Sequence, residues 1–125
     1  MDNLKARTMQ QANEITPQMM DDVLCAAFEG GSNYWVVRVE IVGQRPKGAR
    51  YVSECVSRGG KLRIVESCDG EPEKPHELTA DALRGGIEAA AVHFGQTIER
   101  WYDNHDAEAA DCALQFALFG ELVYG

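Results

Sequence analysis

Residues 78–102 read LTADALRGGIEAAAVHFGQTIERWY. This stretch decides the fold, because apolar residues recur in it with a helical period for longer than anywhere else in the chain. Leu83, Ile87, Ala90, Phe94, Ile98 and Trp101 are spaced 4, 3, 4, 4 and 3, which at about 100° per residue confines them to an arc of about 80°. Glu88, Gln96, Glu99 and Arg100 lie opposite. The pattern predicts one long amphipathic helix laid on a core by a narrow apolar face. Thr79 suits the N-cap and Asp81 the first turn. Gly85 and Gly86 each cost about 1 kcal/mol relative to alanine inside a helix, so a packing reason is expected. Gly86 lies beside the apolar arc, where another backbone can approach.

Beyond this stretch, the polar turn 103–106 leads into a helix predicted over residues 107–119 and ended by Gly120. On it Glu108, Asp111 and Gln115 form one narrow polar stripe, expected to be solvated, and the rest is apolar. Such a helix is either sandwiched inside the monomer or contributes to a subunit interface, so a homo-oligomer through this helix is one expectation. The tail 121–124 adds an edge strand or packs across the long helix.

Before it, residues 68–76 hold an Asp-Gly pair, two prolines and further acids, a composition that predicts a mobile loop. Alternation over residues 61–67 and 33–42 predicts two antiparallel strands, with Trp35, Val37, Val39 and Ile41 on the buried parity of the first. Residues 44–48 carry Pro46 and Gly48 and break that strand. Residues 51–58 suit a two-turn helix closed by Gly59-Gly60, with a hairpin arm as the alternative. A first helix starts at the N-cap Thr16 with Pro17 at its first position, is stapled by Ile15 and Met20, and stops at Gly30-Gly31 in a left-handed turn. Residues 1–14 read as a flexible N-terminal arm. The fold class is therefore α+β: a small antiparallel sheet of two or three strands packed against a long amphipathic helix and a C-terminal helix, in a single domain over residues 15–125.

The chain has 125 residues, 45% of them hydrophobic, enough for a core without staples. Twenty acidic residues against 12 basic ones give a net charge of −8. Direct nucleic-acid binding is disfavoured on that balance, leaving room only for a local basic pocket. An acidic surface serves solubility or complements a basic partner. Cys25, Cys55, Cys68 and Cys112 show no paired spacing and read as reduced core residues. No apolar run reaches the length of a signal peptide or a membrane helix, so the expected location is the cytoplasm, with no membrane association.

The runs Leu78-Thr79, Gly86-Ile87, Asp106-Ala107, Ala110-Asp111, Leu114-Gln115 and the ending Ala117-Leu118-Phe119-Gly120-Glu121 with Val123-Tyr124-Gly125 resemble a family of small phage and prophage proteins without an assigned activity. Ala27-Phe28-Glu29-Gly30-Gly31 with Asn33-Tyr34-Trp35 is similar to that family's N-terminal half. The resemblance implies a phage or prophage origin and an accessory role in a bacterial host, and it supplies no catalytic residues.

Three places stand out as candidate partner- or ligand-binding features. The Gly-Gly turn carries Glu29, Asn33 and Tyr34; because its glycines follow a helix rather than precede one, it is no phosphate loop. Tyr34 and Trp35, if both are in the strand, face opposite ways and leave one ring free to stack. The acidic stripe supplies Asp106 and Asp111, with Glu121 beyond, although carboxylates so placed commonly form a helix cap and a solvated face. Trp101 either closes the core or floors a pocket against that stripe. His76, His93 and His105 lie in different elements, which argues against a metal centre, and no cofactor motif appears. No serine or cysteine has a histidine at a recognisable spacing, so an enzyme is not expected. The leading expectation is a non-catalytic accessory protein that binds and modulates a host protein, such as a defence component, through its acidic surface. The alternative is a homo-oligomeric small-molecule binder that sequesters a nucleotide signal, stacking it on Tyr34 or Trp101 and neutralising phosphate with Arg38, Arg63 or Arg84.

Overall fold

The computed structural model describes residues 15–125, and the predicted N-terminal arm, residues 1–14, lies outside them. Helix α1 spans Pro17–Ala26; the Thr16 hydroxyl accepts from the Met19 N–H at 3.1 Å, as its N-cap position predicts. Ile15 and Met20 are both buried. The helix then widens into a π-turn, Ala27–Gly31, rather than stopping at a left-handed glycine: Gly30 is extended at φ 175°. The glycine requirement here is steric. A Cβ on Gly31 would stand 2.2 Å from the carbonyl oxygen of Ala107.

Strand β1 (Val36–Val42) pairs antiparallel with β2 (Lys61–Glu66), which pairs antiparallel with β3 (Lys74–Leu78), giving the sheet order β1-β2-β3. The expected α+β architecture holds, with helices on one face of the sheet and charged side chains on the other. Two local expectations fail. The register slips between Val36 and Arg38, so Val37 is the unpaired residue of a bulge and is exposed, although strict alternation would bury it. The predicted mobile loop gives up residues 74–76 to β3. Pro75 is tolerated there because β3 is an edge strand, paired on one side only. Leu62, Ile64 and Leu78 face the helices, while Arg38, Glu40 and Arg63 form exposed ion pairs on the far side. Residues 51–58 turn as a helix rather than a hairpin arm, but as two 3-10 turns, Val52–Glu54 and Val56–Arg58, closed by left-handed Gly59.

The deciding stretch is not one helix. Leu78 belongs to β3, helix α2 spans Ala80–His93, and helix α3 spans Ile98–Asn104. Left-handed Gly95 closes α2: its N–H donates to the Val92 carbonyl at 2.9 Å, and the Gln96 N–H donates to the Ala91 carbonyl at 2.9 Å. This pair of bonds is the Schellman motif. Thr97 then caps α3, its hydroxyl accepting from the Arg100 N–H at 3.2 Å. The break turns Phe94 outward, whereas Ile98 and Trp101 remain buried. The predicted C-terminal helix stands as α4, Ala107–Phe119, with Asp106 as N-cap and left-handed Gly120 beyond its end. It packs among α1, the π-turn, α2 and β3, which bury residues 109–115 within the monomer, while residues 116–119 are half-buried. Gly86 is where α2 and α4 meet: a Cβ there would lie 2.3 Å from the Ala113 carbonyl oxygen and 2.7 Å from the Ala117 Cβ. The tail forms no strand. Gln115 Oε1 accepts from the Val123 and Tyr124 N–H groups at 2.8 Å each, and Gln115 Nε2 donates to the Tyr124 carbonyl at 3.2 Å.

Candidate functional site

Of the predicted site residues, Tyr34, Asp111, Trp101 and Asp106 fall in two neighbouring clefts at the start of α4, with Glu108 on the border of both. On one side, a cleft of about 330 Å³ is lined by Tyr34, Glu108, Asp111 and the tail residues Tyr124 and Gly125. Asp111 is not part of a solvated stripe. It is 4% exposed, because the close approach at Gly31 brings the π-turn down onto the first turns of α4. Its Oδ1 accepts from the Ser32 hydroxyl and the Trp35 indole N–H, each at 2.7 Å. Its Oδ2 accepts from the Tyr34 hydroxyl at 2.6 Å and the Gln115 amide at 2.9 Å. Gln115 is buried as well. Tyr34 and Trp35 precede β1, so the alternation argument does not apply to them, and both reach the same carboxylate. Burial first, and then the bond to Asp111, pushes the Tyr34 phenol far above its ordinary range. The Tyr34 ring is half exposed and meets Tyr124 edge to face. Glu29 and Asn33 are exposed on the adjoining turn, and Glu121 is exposed beyond α4; neither cleft includes these three.

On the other side, a cleft of about 230 Å³ is lined by Phe94, Trp101, Asn104, His105, Asp106 and Glu108. Both readings of Trp101 hold together here, since it is 1% exposed and also lines this cleft. His105 stacks on it with ring centroids 5.7 Å apart. Asp106 Oδ1 accepts from the Ala109 N–H at 2.8 Å, which fixes its carboxylate at the cleft edge. Among the described residues, the Trp101 indole N–H is the one buried side-chain polar group without a partner. A buried donor in this condition costs about 1–3 kcal/mol until an acceptor arrives.

Compared with family models, with curated proteins and with solved structures, the chain finds no match. The site therefore rests on its own geometry.

Of the three arginines named for a nucleotide, Arg38 and Arg63 meet on Glu40 on the open face of the sheet, and Arg84 stands apart on α2. Arg38 is held by Glu73 at 3.0 Å, Arg63 faces Glu40 at 3.7 Å, and Arg84 on α2 bonds Asp81 at 2.9 Å. The basic concavity lies elsewhere. A cleft of about 470 Å³ is lined by Arg45, Lys47, Arg58 and Lys61, none of which stood out in the sequence as a site. A signal was present in the local charge. Residues 43–63 hold Arg45, Lys47, Arg50, Arg58, Lys61 and Arg63 against Glu54 alone, whereas residues 98–125 hold Arg100 alone against Glu99, Asp103, Asp106, Glu108, Asp111 and Glu121. Summing over the whole chain conceals both.

Among the described residues, no group of three or more His, Cys, Asp or Glu side chains is arranged to hold a metal ion, and no helix is long and apolar enough to cross a membrane. Burial pushes all four cysteine thiols up, the reverse of what an activated thiolate requires.

Proposed function

We propose that this protein is a non-catalytic binding protein whose Trp101 cleft receives a basic segment of a partner protein. In the accessory role that a phage or prophage origin implies, the partner is a host protein met in the bacterial cytoplasm. One observation carries the reading: Trp101, whose buried indole N–H has no acceptor among the described residues, lines a cleft edged by the Asp106 and Glu108 carboxylates. A peptide carrying Lys or Arg supplies both missing halves. Its cation pairs with the carboxylates, and its main-chain carbonyl accepts from the indole, which a simple amine cannot do. Phe94, exposed at the end of α2, adds apolar surface for the stem of such a side chain.

The test is calorimetric titration with an arginine- and lysine-rich peptide at low salt. Asp106→Asn keeps the cap while removing the charge, and Glu108→Gln removes the second. Each is expected to weaken binding about tenfold, and salt is expected to weaken it further. No binding at low salt, or affinity indifferent to both substitutions, would contradict the proposal.

A further inference from the structure

We propose that the cleft between the 44–50 loop and the start of β2 binds compact phosphate-bearing anions, a site separate from the acidic one. Among the described residues four cations line it, Arg45, Lys47, Arg58 and Lys61, and no acid does. Their existing partners leave charge to spare. Arg45 uses Nη1 on the Arg50 carbonyl at 2.9 Å, a neutral acceptor. Arg58 uses Nη1 on the Glu54 carbonyl at 3.0 Å and reaches Asp21 only at 3.4 Å. Lys61 stands 3.6 Å from Glu77, and Lys47 forms no ion pair among the described residues. Each guanidinium therefore keeps the other N–H groups of its fork, the geometry that grips a phosphate by two bonds.

The cleft is preorganised by backbone packing. A Cβ on Gly60 would lie 2.5 Å from the Pro46 ring and 2.9 Å from the Cys55 carbonyl oxygen, so the loop sits directly on the entry to β2. The Ala49 N–H closes that loop on the Pro46 carbonyl at 3.1 Å, and Ala49 is buried. Gly48, with φ +87°, would place a Cβ 3.5 Å from Arg58 Nε, so the guanidinium lies alongside the loop backbone.

The net charge of −8 selects the kind of anion. Charges farther away than about 8 Å are screened at physiological salt, so a small anion experiences the four local cations, offset only by Asp21 beside Arg58 and Glu77 beside Lys61. A duplex would have to continue across the acidic remainder of the surface. The lining also lacks an aromatic ring on which a base could stack. The site is thus built to read phosphate groups rather than a nucleobase.

Calorimetric titration of the full chain with inorganic pyrophosphate at physiological salt tests this. Binding is expected, with Arg45→Gln and Lys47→Gln each lowering affinity about tenfold and Arg84→Gln, outside the cleft, leaving it unchanged. Both cleft residues are exposed, and an unchanged unfolding midpoint certifies that the variants fold. A nucleoside diphosphate is expected to bind like pyrophosphate. Absence of pyrophosphate binding, equal loss with Arg84→Gln, or a short DNA duplex binding more tightly than pyrophosphate would each overturn the proposal.

Discussion

At Asp111 a carboxylate is buried with no cation beside it among the described residues, held instead by four neutral donors from Ser32, Tyr34, Trp35 and Gln115. Three of the four come from residues nearly eighty positions earlier, so this single side chain ties the turn after α1 to α4. Replacing it strands the buried Ser32 hydroxyl and Trp35 indole N–H, which have no other acceptor among the described residues. Asp111→Asn is expected to cost about 3 kcal/mol, because its amide turns a donor towards groups that can only donate or prefer to. Ser32→Ala, which deletes one donor, should cost about 1 kcal/mol. Denaturant unfolding with an unchanged slope measures both; a loss of under 1 kcal/mol in Asp111→Asn would show that the carboxylate does not hold this junction. Sequence periodicity could not reveal this residue. It assigns Asp111 to the polar stripe of α4 correctly, but not what covers the stripe, and the cover arrives through a close approach at Gly31 that no local pattern encodes.

Among the elements, α2 and α4 share the tightest packing, and the two glycines of α2 separate packing from propensity. Gly85 has open space around its Cβ position, whereas Gly86 faces the Ala113 carbonyl. Gly85→Ala is expected to stabilise the protein by about 0.5–1 kcal/mol; Gly86→Ala should destabilise it by about 1–3 kcal/mol, since the helices must part. Thermal unfolding of the pair checks this, and equal signs would refute the packing assignment. The role of Gly86 was legible from its place beside the apolar arc. The break after His93 was not, because Phe94 keeps the helical spacing through it; the cue was Gly95 followed by Thr97, a stop and a new cap that outweigh periodicity. The sheet's third strand was hidden by a composition typical of loops, which an edge position permits.

Two tyrosines fasten elements together and make stability depend on pH. Tyr102 donates to Asp22 of α1, and Tyr124 of the tail donates to Glu66 of β2; those bonds, and then burial, raise each phenol to about 12 from 10.0. Their contribution is complete below pH 10.0 and is lost as the pH rises towards about 12. Glu66 behaves oppositely. Burial alone would raise it, but the bonds from Tyr124 and His76 bring it below its usual value, so its contribution is present at neutral pH and falls away in acid. Unfolding followed against pH should show the alkaline loss in the natural chain and a smaller one in Tyr102→Phe with Tyr124→Phe; an identical alkaline limb would contradict the assignment.

On the scale of the whole molecule, charge is sorted rather than scattered. Six cations against one acid surround the loop and 3-10 turns, and six acids against one cation fill the C-terminal segment. Both patches coincide with clefts, which is why the composition alone points to an acidic surface and not to two sites. The acidic cleft is lined by Trp101, whose buried N–H has no partner among the described residues, and the chain carries its own reference for it in Trp35, whose N–H is already bonded to Asp111. A two-dimensional proton–nitrogen NMR titration with the basic peptide follows both indole signals at once. The account predicts that the Trp101 signal moves downfield with saturation while that of Trp35 stays in place; a stationary Trp101 signal, or movement of Trp35 alone, would contradict it.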